Sequence, residues 1–155
     1  MAWVSSFFLC LCATVAMVCG FGNGVNLQPS YYNQGNVTFG WSLMHTYNQI
    51  VTVRIEIEPT SVSQAYGWIA QAVSQGYSVI ATYHKNTALG SDNPNDLTDA
   101  AKWWVSNYAS LSKAGNFTIN LMNEWGSHSQ TPQTYSSAYN NAIFIVRSVY
   151  NGYII

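Results

Sequence analysis

The segment VTVRIEIEPTSVSQAYGWIAQAVSQGYSVIATY, residues 51–83, decides the fold because its hydrophobic period changes twice. Residues 51–58 alternate between aliphatic and polar side chains, which predicts a β-strand that ends at Pro59. Ser61 then offers an N-cap, apolar residues between 62 and 73 recur at helical spacing, and Gly76 closes the predicted helix. Residues 77–83 return to a strand pattern. A strand, a helix and a strand in this order predict a right-handed βαβ unit with parallel strands.

The same alternation continues on both sides of this unit. Residues 22–27 predict an earlier strand, residues 97–111 a helix that stops before Gly115, and residues 117–122 a further strand. Thr131 and Pro132 are a good cap and first residue for a helix that runs to residue 146, and residues 153–155 enter a fifth strand. Four complete strands and the start of a fifth, separated by helices, fit a doubly wound sheet or a (β/α)8 barrel.

Length and turn chemistry separate these two α/β folds. No glycine-rich phosphate turn follows any predicted strand, so the nucleotide-binding form of the doubly wound sheet has little support. A complete (β/α)8 TIM barrel typically needs about 250 residues. Without a leader of 20 residues the chain has 155 − 20 = 135 residues. The sequence therefore predicts a TIM barrel truncated to roughly strands 1–5, with residues 21–155 as the N-terminal half of a catalytic domain.

The first residues predict a secretory signal rather than a part of the fold. Residues 3–18 are apolar or small and carry no charge, but this run is shorter than the roughly 20 residues of a membrane span. A cleavage site after Gly20 makes residues 1–20 a signal peptide and the protein extracellular, with no membrane attachment after cleavage. The alternative is an uncleaved membrane anchor. All three cysteines, at positions 10, 12 and 19, precede the predicted site, so the mature chain has no disulfide.

The composition restricts the choice of partner. Only 7% of the residues are charged and the formal net charge is −1, whereas the chain has 15 Asn and 8 Gln. There is no basic surplus for a nucleic-acid partner. A chain rich in amides and aromatic residues suits a neutral, hydroxyl-rich ligand such as a polysaccharide, although a secreted protein with a low-charge surface has the same composition. The three histidines have no metal-ligand spacing, so we predict no metal and no cofactor.

Polar residues recur where the predicted strands end. The second strand carries Arg54, His84 follows the third, and Glu124 follows the fourth. In a (β/α)8 barrel the carboxyl ends of the strands carry the chemistry. By strand parity, His84 shares its side with Thr82, and Glu124 shares its side with Asn120. We therefore expect these three residues to gather at one end of the barrel.

Each candidate also has a structural interpretation. Arg54 can be a structural cation that pairs with Glu56 or Glu58, and His84 can be a strand-end residue bonded to the backbone. Glu124 is harder to explain in this way, because it ends an apolar strand and is followed by Trp and Gly. Trp125 is the best aromatic candidate for stacking on a sugar ring, since the tryptophans at 103 and 104 lie in a predicted helix.

Several of these motifs resemble glycoside hydrolase family five, a family of (β/α)8 glycosidases. The most specific is Ile119-Asn120-Leu121-Met122-Asn123-Glu124-Trp125, which looks like the acid/base motif of the family. Gly24-Val25-Asn26, Val53-Arg54-Ile55 and Val79-Ile80-Ala81-Thr82-Tyr83-His84 look like its first three strands. The form Asn-Glu-Trp is most similar to endo-β-1,4-mannanases, with endoglucanases (cellulases) next. One departure is Lys85, which stands where an acidic neighbour of the histidine is often found.

This resemblance implies retaining hydrolysis of a β-1,4-linked polysaccharide, either β-mannan or β-glucan. Glu124 would be the general acid and then the base, Asn123 would bond the sugar 2-hydroxyl, and Arg54 would orient the nucleophile. His84 would line the sugar subsite, and Trp125 remains the candidate for stacking on a sugar. The nucleophile is a second glutamate on a late strand, and none of the six carboxylates of this chain matches it. The chain alone is therefore expected to be inactive.

Two other functions are open at this point. The first is a carbohydrate-binding protein that has lost catalysis and keeps Arg54, Asn123 and Trp125 as sugar contacts. The second is a half-barrel that associates with a second copy of itself to close the sheet. Two glycosylation sequons fit export: Asn36-Val37-Thr38 and Asn116-Phe117-Thr118, of which the second lies close to a strand.

Overall fold

The computed structural model describes residues 21–155, so the predicted signal peptide at residues 1–20 lies outside the described residues. One parallel sheet forms the centre, with the strands in chain order β1-β2-β3-β4. The strands are β1 (Gly24–Leu27), β2 (Thr52–Ile57), β3 (Ser78–Tyr83) and β4 (Thr118–Asn120). The helices are α1 (Trp41–His45), α2 (Val62–Ser74), α3 (Pro94–Leu111) and α4 (Pro132–Val146).

The alternation of strands and helices confirms the predicted α/β fold. Each strand pairs in parallel with the next strand of the chain, which is the order found in the first part of a (β/α)8 barrel. The chain returns to the sheet after α4, where Ile154 forms a parallel bridge with Ile119. The backbone N–H of Leu121 donates to the carbonyl of Ile155 over 2.8 Å, so residues 153–155 occupy the position of a fifth strand.

Strand parity gives the sheet two different faces. On β2 the side chains of Val53, Ile55 and Ile57 are fully buried and belong to the same core as Ile69 of α2 and Trp104 of α3. The opposite face, which we call the inner face, carries Thr52, Arg54 and Glu56 in β2 and their neighbours in register on the other strands. The helices thus cover one face, and the polar side chains collect on the other.

Helix ends follow the sequence signals with one exception. The side chain of Thr131 accepts a hydrogen bond from the N–H of Thr134, as the predicted cap of α4 requires. The expected cap of α2 at Ser61 is wrong, because Ser61 closes a 3-10 turn and its side chain makes no capping bond. Gly76 ends α2 with a positive φ of 85°, a backbone conformation that favours glycine.

The carboxyl ends of the four strands meet at one edge of the sheet. The loops that leave this edge are the β1–α1 loop, the turn after β2, the β3–α3 loop and the β4–α4 loop. Side chains on these loops can converge because parallel strands place their carboxyl ends side by side. In residues 21–155 no helix has the length and hydropathy of a membrane span.

Candidate active site

Arg54 joins three strand ends through its guanidinium group. It stands opposite Asn26 in the register of β1 and β2. Its Nη1 donates to Asn26 Oδ1 over 2.8 Å and also to Glu56 Oε1, and its Nη2 donates to Asn123 Oδ1 over 2.5 Å. The sequence left open whether Arg54 is a structural cation or a site residue; the structure contains the pairing with Glu56 and also brings Arg54 to Asn123.

Glu56 is the centre of the hydrogen-bond network and its side chain is only 3% exposed. Oε1 accepts from Asn26 Nδ2 over 2.8 Å as well as from Arg54. Oε2 accepts from Gln28 Nε2 over 2.8 Å and lies 3.4 Å from Nε2 of His84. Buried carboxylates are tolerated when donors surround both oxygens in this way. The sequence placed Glu56 on the same face as Arg54, but its central position was missed because it depends on donors from other strands.

His84 is held between two carboxylates and a tyrosine. The residue is 5% exposed, with Nε2 facing Glu56, while Nδ1 contacts the Tyr31 hydroxyl and lies 3.5 Å from Glu58 Oε1. Both ring nitrogens therefore have protein partners. His84 lines the cleft, but the contacts of its nitrogens fix the ring rather than leave a nitrogen for a ligand.

Tyr31 lies in the β1–α1 loop and was not predicted as a site residue. Its hydroxyl donates to Glu58 Oε1 over 2.7 Å, and its ring meets the His84 ring edge to face with centroids 5.2 Å apart. Burial raises the pKa of Tyr31 well above its usual range, and the hydrogen bond and negative charge of Glu58 raise it further. The loop has no hydrophobic period, so no sequence pattern predicts that Tyr31 reaches this position.

Glu124 stands at the rim of the cleft in an uncommon backbone conformation. It is exposed and has a positive φ of 48°, while its carbonyl accepts from the N–H of Gly90 over 2.7 Å. The N–H of the preceding Asn123 donates to the carbonyl of Tyr83 over 2.9 Å. Non-glycine residues with positive φ are uncommon and cluster at functional sites.

Together these residues surround a cleft of about 300 Å³. Its lining consists of polar and charged side chains with one leucine: Gln28, Tyr31, Glu56, His84, Asn86, Leu89, Asn123 and Glu124. The structure thus brings Arg54, His84, Asn123 and Glu124 to one end of the sheet, as the sequence predicted for residues at strand ends.

Trp125 takes a position different from the one expected of a sugar-stacking residue. It is only 4% exposed, and the rings of Tyr135 and Tyr139 lie 5.8 and 5.6 Å from it. Its Nε1 donates to the carbonyl of Asn93 over 2.9 Å, which ties the β4–α4 loop to the β3–α3 loop. Trp125 therefore supports the loop that carries Glu124. In this aromatic cluster Tyr135, which is 43% exposed, presents the accessible ring.

A carboxylate contact fastens the same two loops near Glu124. Asp92 Oδ1 accepts from the N–H of Ser127 over 2.7 Å, and Asp92 Oδ2 accepts from the Ser127 hydroxyl over 2.5 Å. The hydrogen bond from the Ser127 hydroxyl, and to a smaller extent the one from the Ser127 N–H, hold the pKa of Asp92 below its usual value. In the same loop, the N–H of Gly126 donates to the carbonyl of Ser91 over 2.8 Å. The backbone on both sides of Glu124 is thereby fixed to the β3–α3 loop.

The charges around the cleft favour an uncharged ligand. The carboxylates of Glu56, Glu58 and Glu124 outnumber the guanidinium of Arg54 even when His84 also carries a proton. An anionic ligand would meet this surplus of negative charge, whereas amides, carboxylates and the tyrosine hydroxyl can bond neutral hydroxyl groups. In the part of the chain that the structure describes, no three His, Cys, Asp or Glu side chains are grouped so as to hold a metal ion.

Comparisons with known proteins support the fold. No protein-family model matches the chain, and no curated protein sequence matches it. Among solved structures, the chain is similar to a crystal structure of a β-mannanase from Streptomyces thermolilacinus, with a TM-score of 0.62 and 18% sequence identity. The similarity covers 86% of this chain and 47% of the mannanase chain. The chain therefore has an α/β fold of the (β/α)8 type and spans about half the length of that structure.

Proposed function

We propose that the cleft binds a β-1,4-linked polysaccharide and is the site of a retaining glycoside hydrolase, with β-mannan as the first candidate substrate and β-glucan as the second. The observation that carries this proposal is the hydrogen bond between Arg54 and Asn123 beside Glu124. It supports a glycosidase site because an arginine on the inner face of β2, an amide and an acid occur together. Residues 21–155 act outside the cell in this proposal, after removal of residues 1–20.

The geometry gives each residue a separate role. Arg54 donates to Asn123 Oδ1, so the Asn123 amide is oriented with Nδ2 left to donate to a sugar hydroxyl. Glu124, at the exposed rim, protonates the leaving oxygen and afterwards activates water. His84 and Trp125 support the site, His84 by its contacts with Glu56 and Glu58, and Trp125 by fastening the loop that carries Glu124.

Retaining hydrolysis needs a second carboxyl group about 5–5.5 Å from the first. Glu56 is buried and accepts from Asn26, Gln28 and Arg54, and Glu58 accepts from Tyr31 and from the N–H of Asn86. Neither carboxylate is free to attack a sugar. This observation favours a second candidate function, a protein that binds the polysaccharide without cleaving it, and we expect residues 21–155 alone to release no sugar.

Binding of defined oligosaccharides tests the proposal. We expect the chain to bind mannohexaose, or failing that cellohexaose, in a calorimetric titration, and Asn123→Ala to weaken binding about tenfold through loss of one hydrogen bond of about 1.4 kcal/mol. Asn140→Ala, on the exposed part of α4, is the matched control and should leave binding unchanged. Failure of the unaltered chain to bind either oligosaccharide would overturn the proposed function.

The experiment also separates the two candidate functions. A longer protein that includes the second carboxylate should hydrolyse mannan or carboxymethylcellulose, and Glu124→Gln should lower the rate by 10² to 10⁴, the typical contribution of general acid catalysis. Binding by such a protein without release of reducing sugar would favour the binding protein.

A further inference from the structure

The two glycosylation sequons occupy different structural environments. The segment Asn36-Val37-Thr38 lies in the irregular part of the β1–α1 loop, outside every helix and strand. Asn36 and Thr38 are both exposed. The turn at this point is made by the backbone of Asn36, whose N–H donates to the carbonyl of Asn33 over 3.0 Å and whose carbonyl accepts from Asn33 Nδ2 over 2.8 Å. The side chain of Asn36 is not used to form the turn.

The second sequon is built into the sheet. Asn116 is exposed, but Phe117 is only 8% exposed and packs against Trp104 and Tyr108. Thr118 begins β4 and pairs with Ile80 of β3. Once the sheet forms, the chain from 117 onward is held in the extended conformation of a strand with sheet neighbours on both sides.

We propose that Asn36 is an N-glycan acceptor and that Asn116 is not. Transfer requires the asparagine amide and the hydroxyl two residues later to enter one enzyme site together, so the segment must be free to leave its surroundings. Asn36-Val37-Thr38 meets this condition before and after folding. Asn116-Phe117-Thr118 meets it only until Phe117 enters the core and Thr118 pairs with β3.

The donor of the glycan in this transfer is a lipid-linked oligosaccharide diphosphate. The Asn36 amide nitrogen forms a bond to the anomeric carbon of the first sugar. The bond from that carbon to the phosphate oxygen breaks, and the lipid diphosphate leaves. The amide loses one proton to a base of the transferase. No oxidation or reduction takes place, and the chain supplies only the acceptor amide and the Thr38 hydroxyl.

A glycan at Asn36 would stand at the same end of the sheet as the cleft. Tyr31, which lines the cleft, and Tyr32, which is 63% exposed, belong to the same loop. A large hydrophilic group on this loop would cover the exposed ring of Tyr32 and so oppose self-association of the chain through it. The inference depends on export of the chain and is independent of whether the cleft binds a polysaccharide.

The test is expression of the full chain in a eukaryotic secretory host, with intact mass measured before and after peptide-N-glycosidase treatment of protein from cells and medium. We expect one glycan on the unaltered chain and on Asn116→Gln, and none on Asn36→Gln. Thr38→Ala should abolish the glycan although Asn36 is still present. Thr38→Ser keeps the hydroxyl and should keep the glycan. A parallel arm replaces residues 1–20 by an established secretory signal, so that failed export is distinguished from failed transfer.

Three results would overturn the inference. The first is a glycan that persists in Asn36→Gln. The second is the loss of the glycan in Asn116→Gln, which would assign the modification to the strand sequon. The third is an unmodified chain in the arm with the established signal. Oligosaccharide binding by the cleft is measured separately, so none of these results decides the proposed function.

Discussion

Glu124 has a left-handed backbone with φ of 48°, a conformation that costs a non-glycine residue about 1–2 kcal/mol. Glu124→Gly should remove this cost. Because glycine loses about 0.5–1 kcal/mol more on folding, the net gain in the free energy of unfolding should be about 0.5–1 kcal/mol. Chemical denaturation measures it. Glu124→Gln retains the backbone cost and is the control, and a glycine variant no more stable than the glutamine variant would contradict the interpretation.

At Glu56 the expected effect has the opposite sign. Glu56→Gln replaces one acceptor oxygen by an NH₂ group that faces donors from Arg54 or His84, at a site that is 3% exposed. Removing one partner of a fully buried ion pair costs about 3–5 kcal/mol, but the side chain of Arg54 is 25% exposed, so we expect a loss below this range, of about 2 kcal/mol.

Glu58→Gln is the matched control for this change. Glu58 accepts from Tyr31 and Asn86 on a more exposed part of the same strand end, with a side chain that is 19% exposed. Its substitution should cost much less than that of Glu56, as measured by urea denaturation. Equal losses for the two variants would mean that Glu56 has no central role in the network.

The residue scale also shows how far the sequence alone can lead. Arg54, His84 and Glu124 were predicted to gather because Arg54 lies on the polar side of β2 and the other two follow strands, and strand parity is a local property. Tyr31 and Gln28 were missed, since they are placed by a loop without hydrophobic period. The burial of Trp125 was missed because its cover, Tyr135, comes from the next helix.

At the scale of elements, the β3–α3 and β4–α4 loops act as one unit. Asp92→Asn should weaken the contact with Ser127, because an amide offers one acceptor oxygen where the carboxylate offers two. We expect faster amide hydrogen exchange at Gly126 and Ser127, measured by NMR, with little change elsewhere. Asp99→Asn, on the exposed side of α3, is the control. Unchanged exchange at Gly126 and Ser127 would show that the contact does not hold the loops.

Helices and strands were easier to predict than the segments between them. The apolar period of residues 94–111 and 132–146 is long enough to indicate α3 and α4, and both begin at a proline that follows a capping residue. The short helix α1 and the turns at 29–35 have no such period and were not predicted. Ser61 was misread as a cap because a proline two residues earlier starts a 3-10 turn that already occupies this position.

At the scale of the whole molecule, the fold follows from a pattern that survives at low sequence identity. Only 18% of aligned residues are shared with the β-mannanase, yet the TM-score is 0.62, so the two folds are similar although most side chains differ. The chemistry is less local than the fold. The retaining hydrolysis that we propose needs two carboxyl groups, and the described residues offer only Glu124 at the exposed rim of the cleft.

The pH dependence of stability also belongs to the whole molecule, because burial raises the pKa of four tyrosines spread over the fold. Burial is the largest cause at Tyr31, Tyr83, Tyr108 and Tyr139, and their usual pKa is 10.0. In each case the folded chain favours the protonated phenol. The contribution to stability is therefore complete below the unfolded pKa and is lost as the pH rises through the higher folded values.

We accordingly expect the free energy of unfolding to be insensitive to the titration of these tyrosines at neutral pH and to fall above about pH 10. Urea denaturation between pH 8 and 11, followed by tryptophan fluorescence, measures the fall.

Tyr31→Phe removes one of the four phenols, and the pKa of this phenol is raised further by Glu58. The substitution should therefore make the fall less steep. Tyr66→Phe, on α2, is the control: Tyr66 is about as exposed as Tyr31, 44% against 41%, but among the described residues its hydroxyl makes no hydrogen bond to a carboxylate, so the slope should be unchanged. A slope that is the same in the unaltered chain and in Tyr31→Phe would mean that the Tyr31 phenol is not shielded in the folded state, and the contact of its hydroxyl with Glu58 and His84 would have to be abandoned.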